Sequence, residues 1–280
     1  MRILYAPILL TMALALSSVP AAADKLAEVA KGVVKDNKEA VVTIRLVLEE
    51  RFSFGGLGSE KSESITETTG SVIGKDGLTV ASLSATNPMS MISDMLSGLG
   101  GDEDLGFQFS VDSDLSDVTL ILDNGDEMSA DVVLRDRDLD LIFVRPTEPR
   151  AEDFRVIDIS SDPKVEQFDQ LVLLGRLGRV ANRSISGSFP RVSAVMEKPR
   201  RLYVISGGGA GALGEPAFDM QGNFVGMSAM RKIKSSGPGG GGFMGLGSLS
   251  NIGSNMITVI VRAEDILEAA EQAPPAAADE

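Results

Sequence analysis

The chain has 280 residues, 43% of them hydrophobic, with a formal net charge of −14. It can therefore bury one large core or two modest ones, and its acidity disfavours nucleic acid and anionic membrane as partners. It contains no cysteine and no histidine, which excludes disulfides, thiolate chemistry, imidazole metal ligands and any histidine general base.

Residues 1–23 carry an early Arg2, an apolar run and small residues at Ala21–Ala23, the pattern of a cleavable signal peptide. Export follows, to a periplasmic or extracellular site, with no membrane span expected after cleavage. Leu26, Val29, Ala30 and Val33 recur at helical spacing, which predicts an N-terminal helix over 24–38. The period then changes. "AVVTIRLVLEE", "TGSVIG", "LTVASLS", "DVTLILD", "SADVVLRD" and "DLIFVRP" read as short strands of a first β unit, 39–146, with an Asn-Gly hairpin signal in "DNGDE".

The Pro- and charge-rich connector Arg145–Asp153 leads to a second set of strands, 153–262, containing "FDQLVLLGR", "SISGSF", "RVSAVME", "RLYVIS", "NFVGMSAM" and "NMITVIVR". Two insertions, Pro88–Ser110 and Ser235–Ser254, are rich in glycine and predict surface loops. Ala263, Ile266, Leu267 and Ala270 share a helical face, so 263–280 is expected to form a C-terminal helix and a disordered tail. Asp112, Asp114, Asp117 and Asp123 partly echo a calcium loop, but the required glycine is missing and a solvated acidic loop is the reading preferred. No metal and no cofactor are called for.

"ISGGGAGALGEPAFDMQGNFVGM", Ile205–Met227, holds the informative glycines. Gly209–Gly214 satisfies G-x-G-x-x-G, yet Pro216, a turn and another β-like run follow, so no helix begins there to receive a pyrophosphate. A P-loop needs lysine where Glu215 stands, and a carboxylate repels phosphate.

A strand, a tight glycine loop with Pro216 and a second strand closely resemble the nucleophile region of trypsin-like serine proteases, the HtrA type in particular, whose pattern is G-N-S-G-G-P. Gly211, Gly214, Pro216, the turn at Asp219–Gly222 and "FVGM" match. Upstream, "TTGSVIGKDGLTVASLSATNP" is similar to the family's histidine segment at Gly70, Val72, Ile73, Asp76 and Gly77. "DRDLDLIFVRP" is similar to its aspartate strand, and "DQLVLLGRLG…SISGSF" to a later pair of strands. The resemblance covers about Ala40–Arg262 and leaves no room for a PDZ domain. It implies an all-β fold of two antiparallel six-stranded β-barrels with short terminal helices, packed around a cleft.

The same resemblance puts the family's histidine at Ser84, its aspartate at Asp140 and its nucleophilic serine at Leu213, within former oxyanion-loop positions Gly211, Ala212, Leu213, Gly214 and Glu215. Leucine cannot attack a carbonyl, and Glu215 is expected to bring negative charge beside the oxyanion site. The implied function is that of an exported protease homologue without an intact triad, a scaffold for a protein or peptide partner. Two alternatives stand beside it: a serine hydrolase using Ser206 or Ser84 with Lys75 or Lys232, and a structural envelope protein.

Overall fold

The computed structural model describes residues 22–54, 58–89, 109–207, 210–232 and 256–275. The apolar part of the signal segment, the glycine-rich insertion, most of the Met-rich insertion and the end of the tail lie outside the described residues. Among the described residues no helix is long and apolar enough to cross a membrane. The chain enters through α1, Ala22–Asn37, which buries Val33 and sets Val29, Ala30 and Val34 against the core. Asn37 closes the helix by donating its side-chain amide to the Val33 carbonyl at 3.0 Å.

Six strands form the first barrel: β1 (Val41–Phe54), β2 (Gly58–Val72), β3 (Thr79–Ser82), β4 (Phe109–Ile121), β5 (Glu127–Asp136) and β6 (Leu141–Pro146). They close in the order β1-β2-β3-β6-β5-β4. The cause is a period of two: Val42, Ile44, Leu46 and Leu48 are all buried along β1, and the first three join Val80, Leu120 and Phe143 in one core. The Asn124-Gly125 turn sets Ile121 opposite Glu127, as its residues predict. The acidic segment is a correction. Asp112, Asp114 and Asp117 lie in β4 and not in a loop, because the segment pairs along its length with β1, with Asp112 opposite Arg51.

The second sheet contains β7 (Val172–Arg176), β8 (Ile185–Ser188), β9 (Val192–Met196), β10 (Leu202–Ile205), β11 (Pro216–Phe218), β12 (Phe224–Lys232) and β13 (Met256–Arg262), in the order β8-β7-β11-β12-β13-β10-β9. It is barrel-like, but it has seven strands where six were expected. The extra one arises because Pro190 has no N–H and interrupts what is otherwise one bent strand. The break is bridged: Leu171 N–H donates to the Pro190 carbonyl at 2.9 Å, Gln170 pairs with Arg191, and Phe168 N–H reaches the Val192 carbonyl at 2.7 Å. Residues on either side of Pro190 thus join the two ends of the sheet. A short helix, α3 (Ala263–Ala270), packs Ile266 and Ala269 into the core.

The two sheets share a hydrophobic cluster that runs from Val42 and Phe143 on the first side to Phe218, Phe224, Met227 and Val261 on the second. Phe218 and Phe224 meet edge to face at 5.9 Å. Polar contacts fix the relative placement. Arg176, at the end of β7, has its side chain 6% exposed. Its guanidinium donates to the carbonyls of Val41 at 2.8 Å and Lys38 at 2.6 Å, to Arg183 at 3.2 Å, and to Asp123 at 2.7 Å. Its backbone N–H reaches Thr69 Oγ1 at 2.8 Å. One residue of the second sheet therefore ties down β1 and the turn before it through its side chain, and β2 through its backbone N–H.

Removing that guanidinium leaves several buried acceptors unpaired, so Arg176→Ala is expected to cost about 2–4 kcal/mol in urea unfolding. Arg179→Ala, on an exposed turn, should stay within about 0.5 kcal/mol of the parent.

Candidate functional site

Ser84 and Asp140 come together between the barrels. Ser84 sits in a four-residue helix, α2 (Leu83–Thr86), whose N-terminus is capped by the Ser82 hydroxyl accepting from Ala85 N–H at 3.3 Å. Asp140 lies just before β6, only 7% exposed, with φ +61°. Aspartate tolerates this left-handed conformation better than most side chains, and here it turns the carboxyl group towards α2 and β12.

Both oxygens of Asp140 are fully engaged. Oδ1 accepts from Ser84 N–H at 2.8 Å and from Ser84 Oγ–H at 2.7 Å. Oδ2 accepts from the Ser82 hydroxyl at 2.7 Å and from Met230 N–H, on the second sheet, at 2.9 Å. The Asp140 carbonyl also receives Leu83 N–H at 2.9 Å. The residues thus link both barrels through one carboxylate. Ser82, Met230 and Arg176 were not singled out in the sequence: a backbone donor such as Met230 N–H leaves no residue-type signal, although Ser82 fits an N-cap.

Beside this group is a cavity of about 200 Å³ lined by Thr66–Thr69 of β2, Ser84, Ala85, Pro88, Arg176, Gly211 and Leu213. Ser84 and Leu213 therefore face one space. Leu213 is 4% exposed and presents only carbon to it. The loop carrying it makes one turn of 3₁₀ helix, Ala210–Ala212, and is anchored to β12 by Ser228. Gly214 N–H donates to the Ser228 carbonyl at 2.8 Å and Glu215 N–H to Ser228 Oγ at 3.0 Å, while that hydroxyl donates to the Ala212 carbonyl.

Gly214 answers why this loop needs glycine. Its φ is +82°, and a Cβ there would lie 2.6 Å from the Thr69 carbonyl oxygen and 3.3 Å from Ser82 N. Two backbones approach where no side chain fits, which is a packing requirement and not a phosphate cradle.

Glu215 departs from its expected role. Neither it nor Ala212 is among the residues lining the cavity. The carboxyl group packs behind the loop, with Oε1 2.1 Å from where a Cβ on Gly175 would be. Burial pushes its pKa up to about 7.

The lysine dyads fare unevenly. Lys75 pairs with Asp153 at 3.3 Å, whereas Ser84 gives its proton to Asp140, so these two do not meet. Ser206 is exposed and exchanges hydrogen bonds with the Arg191 backbone, both at 3.2 Å. The Lys232 side chain lies outside the described residues. The Asp140 carboxylate that accepts the Ser84 Oγ–H is too weak a base to generate an alkoxide.

Asparagine also accepts a left-handed φ, so Asp140→Asn tests the hydrogen bonds alone. It turns one acceptor into a donor facing two donors, and should destabilise the fold by about 2–4 kcal/mol in chemical unfolding. Ser84→Ala removes one of these bonds and should cost about 0.5–1.5 kcal/mol.

A search among curated proteins returned no match. The family model for the trypsin-like peptidase domain matches residues 30–227, a span that holds the whole first barrel, the Ser84–Asp140 contact and the glycine loop. The chain belongs to the trypsin-like peptidase domain family.

Proposed function

We propose that this is an exported, HtrA-type member of the trypsin-like family that no longer cleaves peptides and instead binds a protein or peptide partner. The observation that carries the reading is Leu213, a buried hydrocarbon facing the cavity at the position matching the nucleophile. Two further features support it. The chain has no histidine, and the Asp140 carboxylate is committed to hydrogen bonds within the fold. With no histidine and with leucine at the nucleophile position, the family's own route of acyl transfer is disfavoured.

A binding role uses what remains. Thr66–Thr69 lies on β2 where that strand borders the cavity, and an extended peptide can add to such an edge through main-chain hydrogen bonds. The hydroxyls of Thr66, Thr68 and Ser84 and the surface of Leu213 offer a mixed polar and apolar wall. Export rests on the Arg2 and apolar pattern of residues 1–23.

Inertness is tested directly on the protein lacking residues 1–23. With unfolded casein and a fluorophosphonate probe, no turnover and no stoichiometric serine labelling are expected. Labelling of one serine that survives repurification would establish a hydrolase instead. Capture of a specific partner from the exported fraction, lost when Leu213→Arg fills the cavity with charge, is the expected positive result.

A further inference from the structure

The loop bearing Leu213 is backed by a carboxyl group that has no charged partner. Glu215 Oε1 occupies the space over Gly175 of β7, and Ser186 Oγ of β8 lies 3.1 Å from the same would-be Cβ position. From β12 the loop meets only the Ser228 hydroxyl and backbone. The nearest charged residue along β7 is Arg176, next to Gly175, and its guanidinium is turned away to Val41, Lys38, Arg183 and Asp123. Among the described residues no charged group acts on the Glu215 carboxyl, which burial alone shifts. Placing a negative charge there costs solvation that nothing nearby returns.

We propose that Glu215 is a proton-operated latch: neutral, it holds the Gly211–Glu215 loop against the β7–β8 hairpin, and ionised, it leaves that contact and loosens the wall of the cavity at Leu213. The coupling is short. Leu213 is two residues from Glu215, and both the hairpin residue Arg176 and the loop residues Gly211 and Leu213 line the cavity. Burial as the cause of the raised pKa is consistent with this placement. The proposal goes beyond the binding role and does not depend on it, because the latch is read from the loop itself.

The direction follows from linkage. The buried carboxyl titrates near 7 and the released one near 4.5, so the latched state is favoured fully at low pH and is progressively lost as pH rises from about 4.5 through about 7. Between about pH 5.5 and about pH 8.5 those two values allow the latched-to-open ratio to fall by up to roughly 30-fold.

Hydrogen exchange of the intact protein, scaled to intrinsic rates at each pH, reads this out in peptides covering Ser206–Phe218. The wild type should lose protection there by on the order of tenfold across that range, and Glu215→Gln should show little change. Gly175→Ala supplies an independent arm: its methyl group would take the carboxyl's place, so the loop should exchange at the lower pH as the wild type does at the higher one. Equal pH dependence in wild type and Glu215→Gln, or an unchanged loop in both, overturns the latch. Full protection in a folded Gly175→Ala protein does so too. Should that variant fail to fold, the comparison of wild type with Glu215→Gln decides alone.

Discussion

One buried group, the Asp140 carboxylate, bonds to both sheets at once. A buried carboxylate is tolerated only when donors surround it, and here the donors come from α2, from the end of β3 and from β12 of the other sheet. The left-handed backbone at Asp140 is strain that those bonds offset. Because charge-assisted hydrogen bonds are about twice as strong as neutral ones, this one group orients the helix carrying Ser84 and registers the two barrels. Its four donors are two hydroxyls, of Ser82 and Ser84, and two backbone N–H groups, of Ser84 and Met230.

A second constraint acts at the surfaces where the barrels touch. Arg176 reaches across with a fork of donors whose planar geometry matches several carbonyls at once, and Gly214 permits the loop backbone to lie on that of Thr69. The Gly214–Thr69 approach brings together two walls of the cavity, the glycine loop and β2. The cavity's lining is mixed: threonines and Ser84, the charged residues Glu67 and Arg176, and the apolar Leu213.

Much of this was legible in the residues. Alternating apolar positions such as Val42, Ile44 and Leu46 announce strands, and the glycine loop between two such runs points to the trypsin-like domain. What escaped had physical reasons. The first ten residues of β2, from Gly58 to Glu67, have Ile65 as their one large apolar side chain and carry no apolar alternation, so their pairing with β1 makes them a strand. Pro190 divides one strand into two without altering the pairing on either side. At the site, Ser84, Asp140 and Leu213 could be located by pattern, but the orientation of the Glu215 carboxyl depends on the empty space over Gly175, which lies far from it along the chain. Contacts of that kind have no local signature.

The closed first barrel also bears on how the chain reaches its native state. β1 pairs with β2 through a short connection, yet it pairs with β4 as well, placing Thr43 opposite Ile121. The hairpin can assemble as soon as its two strands exist, whereas the seam with β4 waits for the intervening segment and must bear its loop-closure entropy. Pairings so distant in sequence slow folding far more than they weaken the folded state. Within the barrel, the β1–β2 ribbon is the pairing of β1 that bears the smaller loop-closure cost.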